Sequence, residues 1–316
     1  MADGDGGDDG GGTAVSRRSA PVRLREVRKS FGSQCVLDGM SLDMERGKTT
    51  VVLGPSGSGK SVLLRHIVGL LRPDSGEVWF EDERVDTKSE RGLRELRTRI
   101  GFLFQLSALF DSMTIAENLE FPLKERTKLK RSARLERIRE SLARVDLRGV
   151  EGKRPAELSG GQQKRAALAR ALMLEPEVML YDEPTTGLDP IRAAEIDALI
   201  NKMKRELGVT GVVVTHDLAS AAHVGDHVVL IDSGHILAQG TMAELRASTH
   251  PRVQAFLTGD GARFVAGCDD DADEAAGSAP GGDGGAGEAG TAVVGGSNGD
   301  EAAEPIGASG ERNRKA

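Results

Sequence analysis

The sequence contains one dominant motif, Gly54-Pro55-Ser56-Gly57-Ser58-Gly59-Lys60-Ser61, which has the pattern G-x-x-x-x-G-K-[ST]. It follows the apolar run TTVVL at 49–53 and precedes the helical pattern SVLLRHIVGLL at 61–71. In that context the glycines let backbone N–H groups turn inward toward phosphate oxygens, and the helix points its positive end at the same anion. We therefore predict a phosphate-binding loop at 54–61, with all eight residues as candidate ligand contacts.

Two side chains of this loop have predicted roles beyond the backbone. Lys60 can place its ammonium on the β- and γ-phosphates of a nucleotide, and Ser61 can offer its hydroxyl to Mg²⁺. A small-molecule kinase of the P-loop type would fit the same eight residues. The motif alone thus predicts nucleotide binding and leaves the reaction open.

Two adjacent acids, Asp182 and Glu183, end the apolar run that starts at Val178. Ligands of parallel α/β sheets gather at the carboxyl ends of the strands, so we expect this pair beside the phosphate loop. There Asp182 would hold Mg²⁺ and Glu183 would polarise the attacking water as a general base. His216 follows the run GVVVT at 211–215 and is predicted to contact the γ-phosphate from the same rim.

The distribution of apolar residues predicts the fold class. Near-continuous apolar runs alternate with helical patterns and indicate buried parallel strands at 49–53, 178–182, 211–215 and 228–231. Shorter, more alternating runs predict an antiparallel sheet with strands at 22–27, 41–44 and 77–80. Residues 112–174 lack a strand pattern and predict a helical insertion, with Leu135, Ile138, Leu142 and Val145 at helical spacing. The predicted class is α/β, a P-loop NTPase (RecA-like) core with an antiparallel β subdomain and a helical subdomain at about 106–165.

Composition separates the two ends of the chain from its middle. Residues 1–20 and 260–316 are rich in Gly, Ala, Asp and Glu and carry net charges of −2 and −8, whereas residues 21–259 carry +3. We predict disordered tails at both ends, because they cannot bury enough apolar surface to offset the entropy of ordering. The C-terminal tail could serve as a solubilising spacer or as a docking segment.

The same composition excludes several classes of protein. No run approaches the ~18 apolar residues of a membrane-spanning helix, and the acidic, glycine-rich N-terminus is unlike a secretory signal. Two cysteines, Cys35 and Cys268, cannot build a disulfide framework or a zinc site. No large basic field for nucleic acid is present, so we expect no nucleic-acid partner.

The segment Leu158-Ser159-Gly160-Gly161-Gln162 completes a set of motifs. In order and spacing, over nearly all of residues 21–259, these motifs resemble the ATP-binding subunit of ABC transporters. The resemblance implies an ATPase that uses ATP and Mg²⁺. It also implies that Phe31 stacks on adenine, that Gln105 senses Mg²⁺ and the γ-phosphate during catalysis, and that His216 is the switch histidine.

The resemblance implies a dimer as well. Ser159, Gly160, Gly161 and Gln162 form the signature loop, at the start of a helix predicted from about Gln162 to Leu174, and Asp189 ends a loop that crosses between subunits. In the family, each signature faces the phosphate loop of a second subunit, so that two ATP molecules are sandwiched head to tail. This chain has one set of motifs, so the implied partner is a second ATP-binding subunit, most simply a copy of itself.

A narrower resemblance lies in LFQLSALFDSMTIAENLEFPL at 103–123 and HPRVQAFL at 250–257. Both segments resemble the Mla/Mce-type subgroup, which energises phospholipid or other lipid transport across the bacterial envelope. The implied partners are an integral membrane permease, an Mce-domain lipid-binding protein and a small regulatory subunit. The implied location is the cytoplasmic face of the inner membrane, where the permease holds the subunit.

Two alternatives keep the same family. The first is the ATPase subunit of a generic small-solute importer, for which ALFDSMT would be a shared docking surface rather than a mark of lipid transport. The second is a soluble ABC protein of DNA repair or ribosomes. Such proteins carry two cassettes or a very long coiled-coil insertion, and this chain has neither.

Overall fold

The computed structural model describes residues 20–260 and Phe264. The tails predicted to be disordered lie almost wholly outside the described residues. The strands are β1 (Val22–Phe31), β2 (Gln34–Met44), β3 (Thr49–Leu53), β4 (Ser75–Phe80), β5 (Glu83–Arg84), β6 (Ile100–Leu103), β7 (Val178–Asp182), β8 (Thr210–Thr215), β9 (His227–Asp232) and β10 (His235–Gly240). The helices are α1 (Lys60–Ile67), α2 (Glu90–Leu96), α3 (Ile115–Arg126), α4 (Arg131–Arg144), α5 (Gly160–Ala171), α6 (Pro190–Leu207), α7 (Leu218–Val224), α8 (Met242–Ala247) and α9 (Pro251–Thr258).

The larger sheet has the strand order β10-β9-β3-β8-β7-β6. Its strands run parallel except for β10, which pairs antiparallel with β9 at one edge. All four predicted parallel strands are confirmed. Strand β6 was missed because it has only four residues, and one of them, Gly101, weakens its strand pattern. Gly101 is required by packing, since a Cβ there would lie 2.2 Å from the Met179 sulfur.

The smaller sheet is antiparallel, with the order β2-β1-β4-β5. This confirms the predicted antiparallel sheet, although β1 and β2 extend further than their alternating cores. Strand β1 continues to Phe31, where it pairs with Gln34 across a tight turn. At that turn, Phe31 lies beside the loop that follows β3 at the carboxyl end of the larger sheet.

The segment between β6 and β7 is helical, as predicted, and holds α3, α4 and α5. Ile138 and Leu142 of α4, and Val145 just after it, are fully buried, which confirms the helical spacing. The prediction for α5 was wrong by two or three residues at each end. The helix begins at Gly160 because Ser159 caps it, and it ends at Ala171, five residues before Pro176.

Two apolar cores cover the two faces of the larger sheet. On β3, Val51 and Leu53 lie in one core, whereas Val52 lies in the other. Each such side chain contributes about 1.5–3 kcal/mol through burial, so the parallel strands form a rigid platform. The only parts of β3, β7 and β8 that can meet a ligand are their ends. Among the described residues, no helix is both long enough and apolar enough to cross a membrane.

Candidate functional site

An open cleft of about 440 Å³ lies at the carboxyl ends of β3, β7 and β8. This position is the usual ligand site of a parallel α/β sheet. Half of the predicted nucleotide-site residues line this cleft together, and they come from five separate parts of the sequence. The lining residues are Phe31, Gln34, Val36, Ser56, Gly57, Gly59, Lys60, Ser61, Val62, Gln105, Glu183 and His216.

The phosphate loop has its conformation fixed by glycines at two close contacts. A Cβ at Gly54 would lie 2.4 Å from the Ile231 carbonyl oxygen, and one at Gly59 would lie 2.7 Å from the Val36 carbonyl oxygen. Gly59 also has φ 94°, in the left-handed region that favours glycine, and it caps α1 without a side-chain bond. The first N–H groups of α1 are therefore not taken up by a side-chain cap and can face an anion.

Lys60 is buried beneath this loop. Its Nζ donates to the carbonyl oxygens of Gly54 and Pro55, each at 2.8 Å. Burial lowers the pKa of the Lys60 ammonium, and the charges of Glu183 and Asp182 oppose that shift. The side chain is thus held at the floor of the cleft, where an anion would restore the stability of its charged form.

Three loop residues, Gly54, Pro55 and Ser58, do not line the cleft. Pro55 and Ser58 instead face a hollow on the other side of the loop, beside Cys35 and Asp232. The Ser58 hydroxyl is buried and has no hydrogen-bond partner among the described residues. Ser56 and Gly57 line both the cleft and this hollow, so only Gly54, Pro55 and Ser58 of the loop lie outside the lining of the cleft.

Asp182 lies behind the loop and contacts it through Ser61, whose Oγ donates to Asp182 Oδ1 at 2.8 Å. Burial raises the pKa of the Asp182 carboxyl, and the neighbouring Glu183 charge adds to this shift. Two carboxylates in a buried position repel each other unless a cation reduces their charge. The donor set is a hydroxyl and carboxylate oxygens, which is the chemistry that Mg²⁺ prefers.

Glu183 has a strained backbone and a fixed side chain. Its φ is 48°, the left-handed region that a non-glycine residue rarely adopts. Its Oε2 accepts from the hydroxyls of Thr186 at 3.0 Å and Thr215 at 3.4 Å, and its Oε1 lies 3.1 Å from His216 Nδ1. The carboxylate is thus held at the cleft by three neighbours.

Phe31 and Gln105 both line the same cleft. The Phe31 ring is 48% exposed at the mouth, so one face is open to a planar ligand. Gln105 follows β6 by two residues and is exposed toward the cleft. Gln34 and Val36 complete the wall beside Phe31 and were not predicted. The short gap between β1 and β2 is the only sequence signal for them.

A second open cleft, of about 570 Å³, holds the signature residues Ser159, Gly161 and Gln162 together with Asp189. None of these four residues lines the first cleft. The Ser159 Oγ accepts from Gln162 N at 3.4 Å, and Gln162 Oε1 accepts from Ser159 N at 3.0 Å. Asp189 caps α6 by accepting from Arg192 N at 3.1 Å. The predicted nucleotide contacts therefore fall into two groups within one chain.

Lys164 was not predicted as a site residue. It lies on α5, the helix that begins at the signature, and it contacts residues of the first cleft. The side chain is 5% exposed, and its Nζ donates to the carbonyl oxygens of Gln105 and of Glu183, the latter at 3.4 Å. Burial lowers the pKa of this ammonium. Lys164 lies one turn into α5, and the residues at the start of that helix, Ser159 and Gly160, are exposed. The local sequence therefore gives no sign that Lys164 is buried, and only the tertiary structure identifies it.

A third cleft, of about 370 Å³, is apolar and lies in the segment after β6. Its walls include the rings of Phe102, Phe104, Phe110 and Phe121, with Pro122 beside them. Leu106, close by in sequence, is 89% exposed. Exposed apolar side chains in this density are typical of a surface that binds a protein, a membrane or a ligand.

Comparisons with known proteins agree with this geometry. Residues 37–186 match the family described as ABC transporter. The chain is similar to the intermembrane phospholipid transport system ATP-binding protein MlaF of Escherichia coli, with 41% identity over 238 residues, 75% of this chain and 88% of the relative. It is also similar to the probable ribonucleotide transport ATP-binding protein mkl of Mycobacterium leprae, with 40% identity over 249 residues, 79% of this chain and 72% of the relative.

A solved structure is similar over the same region. It is the dimeric structure of a post-hydrolysis state of the ATP-binding cassette MJ0796, bound to ADP and Pi. The identity is 34% and the TM-score 0.65, over 70% of this chain and 98% of the other. The fold is therefore shared with a protein that holds the products of ATP hydrolysis.

Proposed function

This chain belongs to the family of ABC transporter ATP-binding proteins, in the Mla-type subgroup, and from that premise we propose that it drives phospholipid transport across a bacterial envelope. The ATPase that energises the transporter is common to the whole family. We propose, in addition, the lipid substrate, the roles of the site residues, the dimer and the membrane partner. The proposed ATP-binding domain spans 21–259, with a helical subdomain at about 106–165.

ATP binds in the cleft between β1 and the phosphate loop. Phe31 stacks on adenine. The loop amides and Lys60 hold the β- and γ-phosphates, and Gln105 approaches the γ-phosphate. The free N–H groups at the start of α1 support this orientation, because they favour an anion at that end of the cleft. The similar cassette with bound ADP and Pi supports the same ligand class.

Mg²⁺ would be held by Ser61 and Asp182, with Gln105 beside it. The observation that supports a cation is the buried Asp182 carboxyl with its raised pKa, next to a second carboxylate. When bound, Mg²⁺ neutralises charge on the β- and γ-phosphates. Every other contact in the site comes from the protein's own groups.

Hydrolysis needs a group that takes a proton from water while the water attacks the γ-phosphorus. Glu183 is that general base, because its carboxylate is fixed at the rim by Thr186, Thr215 and His216. His216 orients Glu183 and contacts the γ-phosphate. The bond to the β-phosphate oxygen then breaks, leaving ADP and inorganic phosphate.

The signature completes the site of a second copy. Ser159, Gly161 and Gln162 line a different cleft from Lys60 in the same chain, and Gly160 lies between them in sequence, so we propose that a single chain does not apply both groups to one ATP molecule. A head-to-tail dimer brings them together twice. The dimeric state of the similar cassette supports this assembly.

The permease docks on the apolar cleft after β6. Phe110 and Phe121 lie there in edge contact, with ring centroids 5.3 Å apart, and both are exposed. Because Gln105 precedes this cleft and faces the ATP site, closure of the dimer would move the permease surface directly. The chain would thereby be held at the cytoplasmic face of the inner membrane. An Mce-domain protein and a small regulatory subunit complete the proposed assembly.

The lipid substrate rests on one observation, the 41% identity to MlaF over 88% of that protein, which includes the segment 103–123. The 40% identity to mkl favours a second candidate, transport of a polar solute such as a ribonucleotide. Both candidates use the same ATPase chemistry. They differ in the permease and in the substrate that the complex holds.

Purification of the complex from its own membranes separates these candidates. The protein is extracted in mild detergent, and everything that accompanies it is identified by mass spectrometry. The proposal expects a permease, an Mce-domain protein and phospholipid. A permease with a small-solute binding protein would overturn the lipid proposal and retain the ATPase.

A pair of variants ties this result to the apolar cleft. Phe121→Asp puts a charge into the cleft and is expected to lose the permease while ATP hydrolysis by the isolated subunit persists. Leu207→Asp changes a partly exposed leucine on α6 and is the matched control. If both variants keep the permease, it docks elsewhere.

A further inference from the structure

The connection between α3 and α4 carries an unusual concentration of positive charge. Four cations, Arg126, Lys128, Lys130 and Arg131, occupy six consecutive residues that contain no acid. Residues 124–139 together hold eight bases and two acids, a net charge of +6, whereas residues 21–259 as a whole carry +3. We name these four residues the basic patch.

The side chains of the basic patch are exposed and unpaired. None of the four makes an ion pair or a hydrogen bond within the described residues, although the cations around them do. Arg134 pairs with Glu120, and Arg137 pairs with Glu175. The patch is therefore not explained by the packing of the helical subdomain.

The local helix adds to the positive potential. The first turn of α4 contains no acidic residue, and its N-cap, Lys130, makes no side-chain capping bond. Cations at a helix N-terminus are unfavourable because the helix dipole is positive there. The arrangement costs stability in the isolated chain, and a negatively charged surface would offset that cost.

The patch begins on a helix that also lines the apolar cleft. Phe121 and Pro122 line that cleft from α3, and Arg126 ends the same helix. A face that receives the cytoplasmic part of a permease also faces the bilayer around the permease, and this step rests on the proposed function. We propose that the basic patch binds the headgroups of anionic phospholipids at the membrane surface.

The form of the patch favours lipid over an acidic protein segment. The cations come from a helix end, an extended connection and a helix start, and no opposing carboxylate fixes any of them. Anionic headgroups move laterally and can match such an arrangement, and clusters of four to eight cations are typical of membrane-surface attraction. Such attraction does not require a fixed register.

The test is binding of the full chain to lipid vesicles. Vesicles of phosphatidylcholine alone are compared with vesicles that contain about 30 mol% phosphatidylglycerol, by flotation. We expect binding to be about tenfold or more stronger with the anionic lipid and to fall as salt rises. Equal binding to both vesicles would overturn the proposal.

A triple reversal, Lys128→Glu with Lys130→Glu and Arg131→Glu, should remove about tenfold or more of that binding. The new acids lie at the start of α4, where the helix dipole favours them, so folding is preserved. The matched control reverses three exposed, unpaired arginines elsewhere, Arg91, Arg94 and Arg205, and changes the net charge equally. Equal loss in both triples would show a general charge effect and overturn the patch.

Two further readouts separate this proposal from the preceding ones. The patch triple should hydrolyse ATP and retain the permease in detergent like the wild type. A triple that binds vesicles normally but loses the permease would make the patch a protein contact and overturn the lipid proposal. Because vesicle binding needs no permease, its failure leaves the proposed transport ATPase untouched.

Discussion

The helix N-termini of α1 and α5 both open onto solvent-filled clefts, yet they are completed in opposite ways. Helix α1 begins after Gly59, which has no side chain, so no cap takes up its first N–H groups. Helix α5 begins after Ser159, which exchanges two hydrogen bonds with Gln162 and caps its own helix. The first terminus offers backbone donors to an anion. The second already uses its Ser159 hydroxyl within the chain.

This difference separates binding from hydrolysis. A single chain has a phosphate loop whose first amides have no side-chain cap, whereas the Ser159 hydroxyl already accepts a hydrogen bond from Gln162 N and has only its own proton left for the γ-phosphate of the proposed second chain. We infer that nucleotide binds to a single chain and that hydrolysis waits for the dimer.

Glu183→Gln tests the chemistry of the first cleft. The amide cannot accept the proton of the attacking water, so kcat should fall about 10²–10⁴-fold while ATP stays bound. The measurement is steady-state ATPase activity together with size-exclusion chromatography, in which an ATP-bound dimer should accumulate. Glu177→Gln, just before the same strand, is the control. Wild-type turnover by Glu183→Gln would mean that another group is the base.

Ser159→Arg tests the second cleft. The arginine blocks the approach of another chain's ATP, so hydrolysis should fall about 100-fold with little change in ATP affinity of the single chain. Nucleotide titration and ATPase assays measure the two effects separately. Ser89→Arg changes another serine that caps a helix, α2, and should remain active. Loss of ATP binding by Ser159→Arg would contradict the separation of the two groups.

Lys164→Met tests whether the contact between α5 and the first cleft contributes to hydrolysis. Methionine fills the buried space and removes the ammonium that holds the Gln105 and Glu183 carbonyls, so kcat should fall about tenfold at unchanged KM. Lys164→Arg should restore part of the rate. Lys202→Met on α6, which removes a similar bond to the carbonyl oxygen of Arg144 at the end of α4, is the control. An equal loss in the control would indicate a purely structural effect.

Asp182→Asn should give the smallest effect, on stability. Because the pKa of Asp182 is raised in the folded protein, its carboxylate lowers stability as pH rises through that pKa. Near pH 7, without nucleotide or Mg²⁺, the variant should be about 1 kcal/mol more stable, and the gain should vanish below about pH 4. Thermal unfolding against pH measures this. A destabilised variant at pH 7 would refute the account of Asp182.

The sequence predicts much of this architecture because the strongest signals are local. The parallel strands are short runs of buried residues such as VVL at 51–53, and the phosphate loop needs glycines at fixed spacing. The carboxyl ends of the predicted parallel strands also predicted that residues as distant as Lys60 and His216 would meet at one rim. The roles of these residues stay predictions until the kinetics are measured.

The features that were missed depend on tertiary packing. Strand β6 is short and contains Gly101. A glycine is needed there because the side chain of Met179 in the neighbouring strand leaves no room for a Cβ. Lys164 has the pattern of a surface lysine, and its burial follows only from how α5 lies against β6 and β7. Thr186 and Thr215 can be recognised as site residues only in the folded chain, where both hydroxyls donate to Glu183.

The central claim is that each ATP site joins the phosphate loop of one chain to the signature of another, and mixed dimers test it directly. Lys60→Ala and Ser159→Arg should each be nearly inactive alone, one for lack of nucleotide and one for lack of a signature. A mixed dimer of the two has one intact composite site, so an equal mixture should recover roughly a quarter of the wild-type ATPase rate. A mixture no more active than either variant alone would contradict the claim.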